Sequence, residues 1–492
     1  MFITSLCYFF LLIIFNKSYC EEFNLYGDAG QAYALEIKIG HPEQKLSVLV
    51  DTGSTTLAIA SYARKDSNKY FRCENSTTLN NSGKEVQAKY SQGTWVGHLA
   101  SDLVKFSSLN SVPEVRCDIA LITRSHKFFM NGSGWQGLLG LAYLPVGAWG
   151  ENVVVGSWLD SVEKNLNKPM SFQLKLCGVQ SLTNATHYGK FEMFDDSMTK
   201  SGVIYRTPIL RKRWYEVGVL AVRISSPTNK STNTSLKYFE SNQTTDNGAD
   251  SNYRETCIKL NEEKSIVDSG TTNIRLPDVV FREVVNELRS AAQTSNILIL
   301  DEFWYHGEAA CWPEPQEWSL PSIAIDLLST DADNQYFTLV IPPQNFMRVV
   351  TARNNSGEGG TVSEFCYKLG LEAGGKETVL GYTAMEGLQV LFNRSAGWIG
   401  WQPSNCGPKA HITGPHNYSM SLSLLCQLTK PVPDVAVSIK AAQWTLCAIS
   451  IIAAAVLLYL LAPCIKMFLV RPLPRSQQIS LSQAALVEQE AS

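Results

Sequence analysis

The sequence predicts a mostly β chain of two like lobes, with one membrane helix near its C-terminus. Three observations predict it. Short alternating apolar runs punctuated by Gly, Asn and Pro dominate residues 33 to 224, for example Ala34-Leu-Glu-Ile-Lys-Ile39 and Lys45-Leu-Ser-Val-Leu-Val50. An apolar strand ending at Asp-(Thr/Ser)-Gly-(Ser/Thr) occurs twice, as Ser47-Val-Leu-Val-Asp51-Thr-Gly-Ser54 and as Ser265-Ile-Val-Asp268-Ser-Gly-Thr271. The stretch from Trp444 to Ala462 carries no charge and is long enough for one helix through a bilayer.

In chain order, residues 1–20 read as a secretory signal: an apolar run to Phe15, then Ser18-Tyr-Cys20 with small residues at alternate positions. Its leading region lacks a basic side chain, so an uncleaved anchor is the competing reading. Residues 21–224 form the first lobe and the strands between lobes, with a short helical pattern from Trp158 to Leu166. Residues 225–255 are rich in Ser, Thr and Asn and poor in apolar side chains, which predicts a long glycosylated surface loop rather than a linker. Residues 256–426 form the second lobe, with a helical pattern from Pro277 to Ala292. A stalk (427–443), a membrane helix (444–465) and a polar tail (466–492) follow. Lys440 precedes the apolar span, whereas Lys466, Arg471 and Arg475 follow it, so the tail is cytoplasmic and the bulk lies outside. A lipid-anchor signal would end with its apolar segment, and this chain continues.

Composition narrows the function. The 492 residues suffice for a two-lobed body with accessory segments, and a net charge of −3 offers no basic stripe for phosphates, which excludes nucleic acid as a partner. Twelve cysteines, eight of them in the expected lumenal part, and sequons at Asn75, Asn80, Asn131, Asn184, Asn229, Asn233, Asn242, Asn354, Asn393 and Asn417 fit an oxidising, secretory compartment. An even count implies disulfides but not their connectivity. No Cys-x-x-Cys pair and no His/Cys cluster offers a metal site.

The aspartate motif does not return alone. Gly137-Leu-Leu-Gly140 follows the first copy and Thr378-Val-Leu-Gly381 the second, so the two lobes read as a duplication, each contributing one carboxylate to a site between them. Gly53 and Gly270 permit close backbone approach, Ser54 and Thr271 can donate to the outer carboxylate oxygens, and Thr52 and Ser269 can tie the turns together. Two carboxylates brought together share a proton. One can then take a proton from a water while the other donates to a peptide carbonyl, which hydrolyses a peptide bond without metal, cofactor or covalent intermediate.

These motifs resemble the pepsin-type aspartic proteases, and specifically their membrane-anchored branch, the beta-secretases (memapsins), from about Gly30 to Cys426. Ser265 to Pro277 is similar to the family's second aspartate motif, Lys127 to Tyr143 to its pocket wall, and Tyr90-Ser-Gln-Gly-Thr-Trp95 to its flap. The resemblance implies catalysis by Asp51 and Asp268, and closure of Tyr90 over substrate with its hydroxyl near the Trp95 indole. It implies backbone contacts to a bound peptide from Gly53, Gly270, Gln92 and Thr272, and a binding role for Gly30, Gln31 and Asn273. Phe128 and Trp135 would line the pocket for the residue before the scissile bond. Arg275 would favour a polar or acidic residue one step further from the cut. The resemblance also pairs Cys177 with Cys406, Cys257 with Cys426, and Cys311 with Cys366. Cys73 and Cys117 have no counterpart in it, and parity predicts a fourth bridge between them.

The sequence departs from the family pattern at Ala148 (usually Arg) and Trp214 (usually Tyr), so preferences beyond the cut are not transferable; Ala32 (usually Gly) is expected to stiffen its loop, and Asn393 (usually Asp) creates a sequon. The short stretch between Cys20 and the first strand holds no Arg pair, which predicts no conventional prosegment. The tail lacks a clear acidic dileucine signal. The expected function is a type I endopeptidase of the Golgi, endosomes or cell surface, cutting polypeptides, chiefly single-pass membrane proteins, near the bilayer. A digestive or lysosomal acid protease and a silent receptor-like homologue are the alternatives.

Overall fold

The structure is a computed structural model that describes residues 23–28, 32–65, 67–91, 93–109, 111–130, 133–143, 155–179, 186–195, 204–225, 247–295, 297–357, 360–428 and 435–469. The expected signal peptide, Gly30, Gln31, Gln92, Ala148 and the tail from residue 470 lie outside these residues. The chain divides into two compact units, residues 1–429 and 430–492.

Within the first unit, one motif is built twice. In the first copy Gln44–Asp51 runs into the aspartate turn and the chain returns as Leu57–Ala60. Gly137–Gly140 inserts between them, parallel to the former with Asp51 opposite Gly140, and antiparallel to the latter. In the second copy Ser265–Val267 and Ile274–Leu276 flank Thr378–Leu380 in the same parallel and antiparallel senses. The echo of apolar-Gly segments in the sequence is therefore the echo of an inserted strand. The glycine is required because the aspartate turn packs on it: a Cβ on Gly140 would lie 2.4 Å from backbone atoms of Thr55 and Thr56, and one on Gly381 2.3 Å from the Asn273 carbonyl oxygen.

Strands from both halves join the lobes. Met170–Val179 pairs antiparallel with Leu388–Asn393, which pairs with Trp398–Pro403, in a 13-stranded sheet that also contains the first aspartate strand. Phe172 stacks on Phe392 with ring centroids 4.8 Å apart, both fully buried. Burying such a side chain contributes about 1.5–3 kcal/mol, so this seam holds the lobes in one geometry. The Tyr215 hydroxyl donates to the Leu141 carbonyl (2.7 Å) and the Tyr143 hydroxyl to the Arg394 carbonyl (3.0 Å), pinning the strand ends across the seam.

Helices occur where an apolar stripe repeats. The expected helix at Trp158–Leu166 is present, its N-cap Ser157 accepting from the Asp160 amide. Asp278–Thr294 buries Val280, Phe281, Val284, Val285, Leu288 and Ala292 along one face.

Three expectations are corrected. The loop expected over 225–255 ends early: residues 226–246 are outside the described chain, but Asn247–Leu260 is helical. Its face is buried at Tyr253, Cys257 and Leu260, and the Cys257–Cys426 disulfide fixes it, which outweighs the polar composition of its first turns. The stalk expected over 427–443 is partly helix, because the 35-residue helix Val435–Leu469 begins inside it. At 1.5 Å per residue that helix is about 52 Å long, more than a hydrocarbon core of about 30 Å needs. Its apolar window Trp444–Ala462 is not buried against protein, unlike the core helix of a soluble domain. Of the four expected disulfides, Cys177–Cys406, Cys257–Cys426 and Cys311–Cys366 are formed. Cys73 and Cys117 are not bridged; Cys117 sits inside the core on the strand Val115–His126, and Cys73 packs onto that core from a one-turn helix. The Asn393 sequon is buried, and the Asn393 side-chain oxygen accepts from the Ala396 amide, so glycosylation there is not expected.

Candidate active site

Each lobe delivers its aspartate on the end of a buried strand. Val48, Leu49, Val50 and Asp51 are all buried, as are Ser265, Ile266, Val267 and Asp268, so the carboxylates are carried inward with only 4% and 9% of their surface exposed. At each turn the glycine amide donates to the carboxylate: Gly53 N to Asp51 Oδ1 (2.8 Å) and Gly270 N to Asp268 Oδ1 (2.8 Å). The hydroxyl residue of each motif donates to the outer oxygen, Ser54 to Asp51 Oδ2 (2.5 Å) and Thr271 to Asp268 Oδ2 (2.7 Å).

The turns are locked reciprocally. Thr52 N donates to Ser269 Oγ (3.1 Å) and Ser269 N to Thr52 Oγ1 (2.9 Å), while the Thr52 hydroxyl donates to the Val267 carbonyl and the Ser269 hydroxyl to the Val50 carbonyl. Every one of these groups is buried, so a missing partner would leave an unsatisfied donor or acceptor. The glycines are required by closeness: a Cβ on Gly53 would lie 2.6 Å from the Asp268 carboxylate, and one on Gly270 2.3 Å from Asp51 Oδ1.

Burial, then the neighbouring Asp268 charge, then a hydrogen bond to Asp268 hold the Asp51 carboxyl well above the usual carboxylate range. The two carboxyl groups thus share one proton as a pair, which can donate to one oxygen while accepting from another.

Tyr90 stands at the tip of the hairpin formed by Asn80–Lys89 and Thr94–Lys105, its amide donating to the Gly93 carbonyl (2.8 Å). Burial and the Asp51 charge raise its hydroxyl, which hydrogen-bonds with Trp95 and Ser54. This links the hairpin tip to the first aspartate turn through Ser54. Tyr90 also meets Phe128 (5.3 Å between centroids), which meets Trp135 (5.8 Å), so these aromatics form one continuous wall. Thr272 hydrogen-bonds with the buried Tyr382 hydroxyl, and Asn273 and Arg275 lie half-buried on the strand leaving the second turn. Trp214 lies beneath the Arg213 guanidinium and Lys264 ammonium.

Sequence reasoning missed two features. Behind the second turn, the Tyr33 hydroxyl donates to Glu386 (2.7 Å) and Arg348 donates to the Tyr382 hydroxyl (2.6 Å), beside a cavity of about 400 Å³ that neither aspartate lines. Glu372 pairs with Arg275 (2.8 Å). Both depend on strand register between distant segments, which no local pattern encodes.

The sequence profile of eukaryotic aspartyl proteases matches residues 32–403. A beta-secretase of Strongylocentrotus purpuratus is 32% identical over 415 residues, covering 80% of this chain and 70% of that protein. A gastricsin of Callithrix jacchus is 28% identical over 193 residues, 38% of this chain and 47% of its own, and a pregnancy-associated glycoprotein 2 of Sus scrofa is 28% identical over 147 residues, 28% and 34% respectively.

Proposed function

The chain belongs to the eukaryotic aspartyl protease family and is an aspartic endopeptidase homologous to beta-secretase; from that premise we propose that Asp51 and Asp268 are its catalytic pair and that it cuts the ectodomains of single-pass membrane proteins. The observation that carries the assignment is the reciprocal lock of Thr52 and Ser269, which holds two buried carboxyl groups together.

In the proposed mechanism, Asp268 takes a proton from a water as its oxygen attacks the scissile carbonyl carbon, and Asp51 gives its proton to the carbonyl oxygen. The tetrahedral diol collapses as Asp268 passes its proton to the leaving nitrogen and Asp51 recovers one from a diol hydroxyl. The C–N bond breaks and the pair is restored. Ser54 and Thr271 orient the outer oxygens. Tyr90, held by Trp95 and Ser54, closes over the peptide, and Phe128 and Trp135 accept the apolar side chain before the cut. Gly30, Gln31, Gln92, Gly53, Gly270 and Thr272 complete the peptide-binding surface.

The membrane substrate class is supported by the apolar window Trp444–Ala462 and by the excess of Lys and Arg on its C-terminal side, which favours a lumenal or extracellular catalytic unit. Confinement to a surface raises the effective concentration of a substrate anchored in the same bilayer. In cells co-expressing a single-pass reporter, the full-length chain is expected to release the reporter ectodomain at least about tenfold more efficiently than a secreted form ending at residue 428. Equal release by the two forms, at equal enzyme levels, would refute the tethered reading.

A further inference from the structure

Two basic residues occur between 264 and 276, Lys264 before the catalytic turn and Arg275 after it. Each is taken by a carboxylate from the segment 371–380, whose two strands flank Ile274–Leu276. The strand Leu371–Ala373 runs parallel to Ile274–Leu276 with Glu372 opposite Arg275, and Thr378–Leu380 returns on the other side. Glu372 Oε1 pairs with Arg275 Nε at 2.8 Å, its Oε2 accepts from Asn273 Nδ2 at 2.9 Å, and Glu377 pairs with Lys264 at 3.1 Å.

This arrangement lies beside the second catalytic turn. Ile274 and Leu276 point into the core, whereas Asn273 and Arg275 are half-buried on the opposite face, two and four residues beyond Thr271, whose hydroxyl holds Asp268. Asn273 is two residues beyond Thr271, so the chain allows at most about 7 Å between their Cα atoms. Both carboxylate oxygens of Glu372 are thus engaged by the two side chains of this face. A ligand carboxylate arriving there meets a guanidinium already neutralised and a fixed negative charge beside it. A ligand amide or hydroxyl can accept from Arg275 without bringing a second charge into the field of Glu372.

We propose that Glu372 determines specificity at this subsite, converting an arginine pocket that would select acidic residues into a neutral one that takes uncharged polar residues two positions before the cut. The inference rests on the protease reading above and on the placement of Arg275 beside that substrate residue. Glu372 acts on substrate charge and takes no part in the bond-breaking step.

The test uses the full-length chain in detergent and two peptides that differ only by Asn or Asp at that position, assayed at about pH 5, where a free Asp side chain is ionised. The wild-type chain is expected to prefer the Asn peptide in kcat/KM by about threefold or more, and Glu372→Gln to raise the relative rate on the Asp peptide by at least about tenfold through KM. Adding Arg275→Gln should remove that gain, which loss of packing would not predict. An unchanged Asp-to-Asn ratio in active Glu372→Gln would overturn the proposal. The same pair with a hydroxyethylene group in place of the scissile amide, measured by calorimetry, must show the same reversal in Kd, and its absence would equally overturn the proposal where turnover is lost. Failure of the wild-type chain to cleave either peptide contradicts the protease reading instead, with the Kd pair still deciding the charge of the pocket.

Discussion

Thr52 and Ser269 show how much of the site depends on two hydroxyl groups. Each accepts from the other turn's amide and donates across it to a strand carbonyl. Thr52→Val keeps the shape and removes both bonds, and is expected to cost about 1–3 kcal/mol and to lower kcat as the pair loses its fixed separation. With Ser269→Ala it should be strongly non-additive, which a double-mutant cycle in thermal unfolding and in kcat checks. Two buried groups set opposite pH trends. The raised Asp51 value means its contribution to stability is complete below the usual carboxylate range and is lost as pH rises through the raised value. Asp51→Asn should therefore stabilise the protein relative to wild type increasingly as pH rises above about 4, the usual carboxylate value. Burial, then the Arg348 charge, push His187 down to about 4, so its contribution is complete above its usual value near 6.5 and is lost as pH falls through about 4. His187→Gln should flatten the acid limb of a Tm-versus-pH profile. The aspartates, their glycines and their hydroxyl partners were legible in the sequence because the turn chemistry is written into four consecutive residues. Glu372 was not, because only the parallel register of two segments about a hundred residues apart places it beside Arg275.

At the scale of elements, the duplicated strand–turn–strand was legible because both copies keep the same apolar approach and the same terminal glycine on the inserted strand. The helix Asn247–Leu260 was not, since its early residues are those of a loop and its stability comes from tertiary contacts. Those contacts are Tyr253 against Tyr418, with centroids 5.6 Å apart, and the Cys257–Cys426 bridge to the segment after the short helix Leu422–Leu425. Replacing both cysteines with Ala should cost about 2–5 kcal/mol and expose this helix first. Hydrogen exchange should show protection lost over 247–260 while the aspartate strands keep theirs. Uniform loss across both lobes would instead make the bridge a global staple. The absent bridge between Cys73 and Cys117 shows the limit of parity as an argument: an even count of cysteines says nothing about whether two thiols face one another.

At the scale of the whole molecule, the chain combines one catalytic unit with a separate unit containing a long apolar helix. Length and the apolar window made the long C-terminal apolar helix legible, while its start at Val435 was not, because Ala-, Val- and Lys-rich sequence before Trp444 is equally compatible with an extended stalk. All of this organisation serves one claim, that a single proton shared by Asp51 and Asp268 drives peptide hydrolysis. The pH dependence of kcat/KM for peptide cleavage by the full-length chain, measured for wild type, Asp51→Asn and Asp268→Asn, tests it most directly. The wild type should give a bell-shaped profile in the acid range, with each variant reduced by at least about 10³-fold at every pH; activity that survives either substitution would contradict the account.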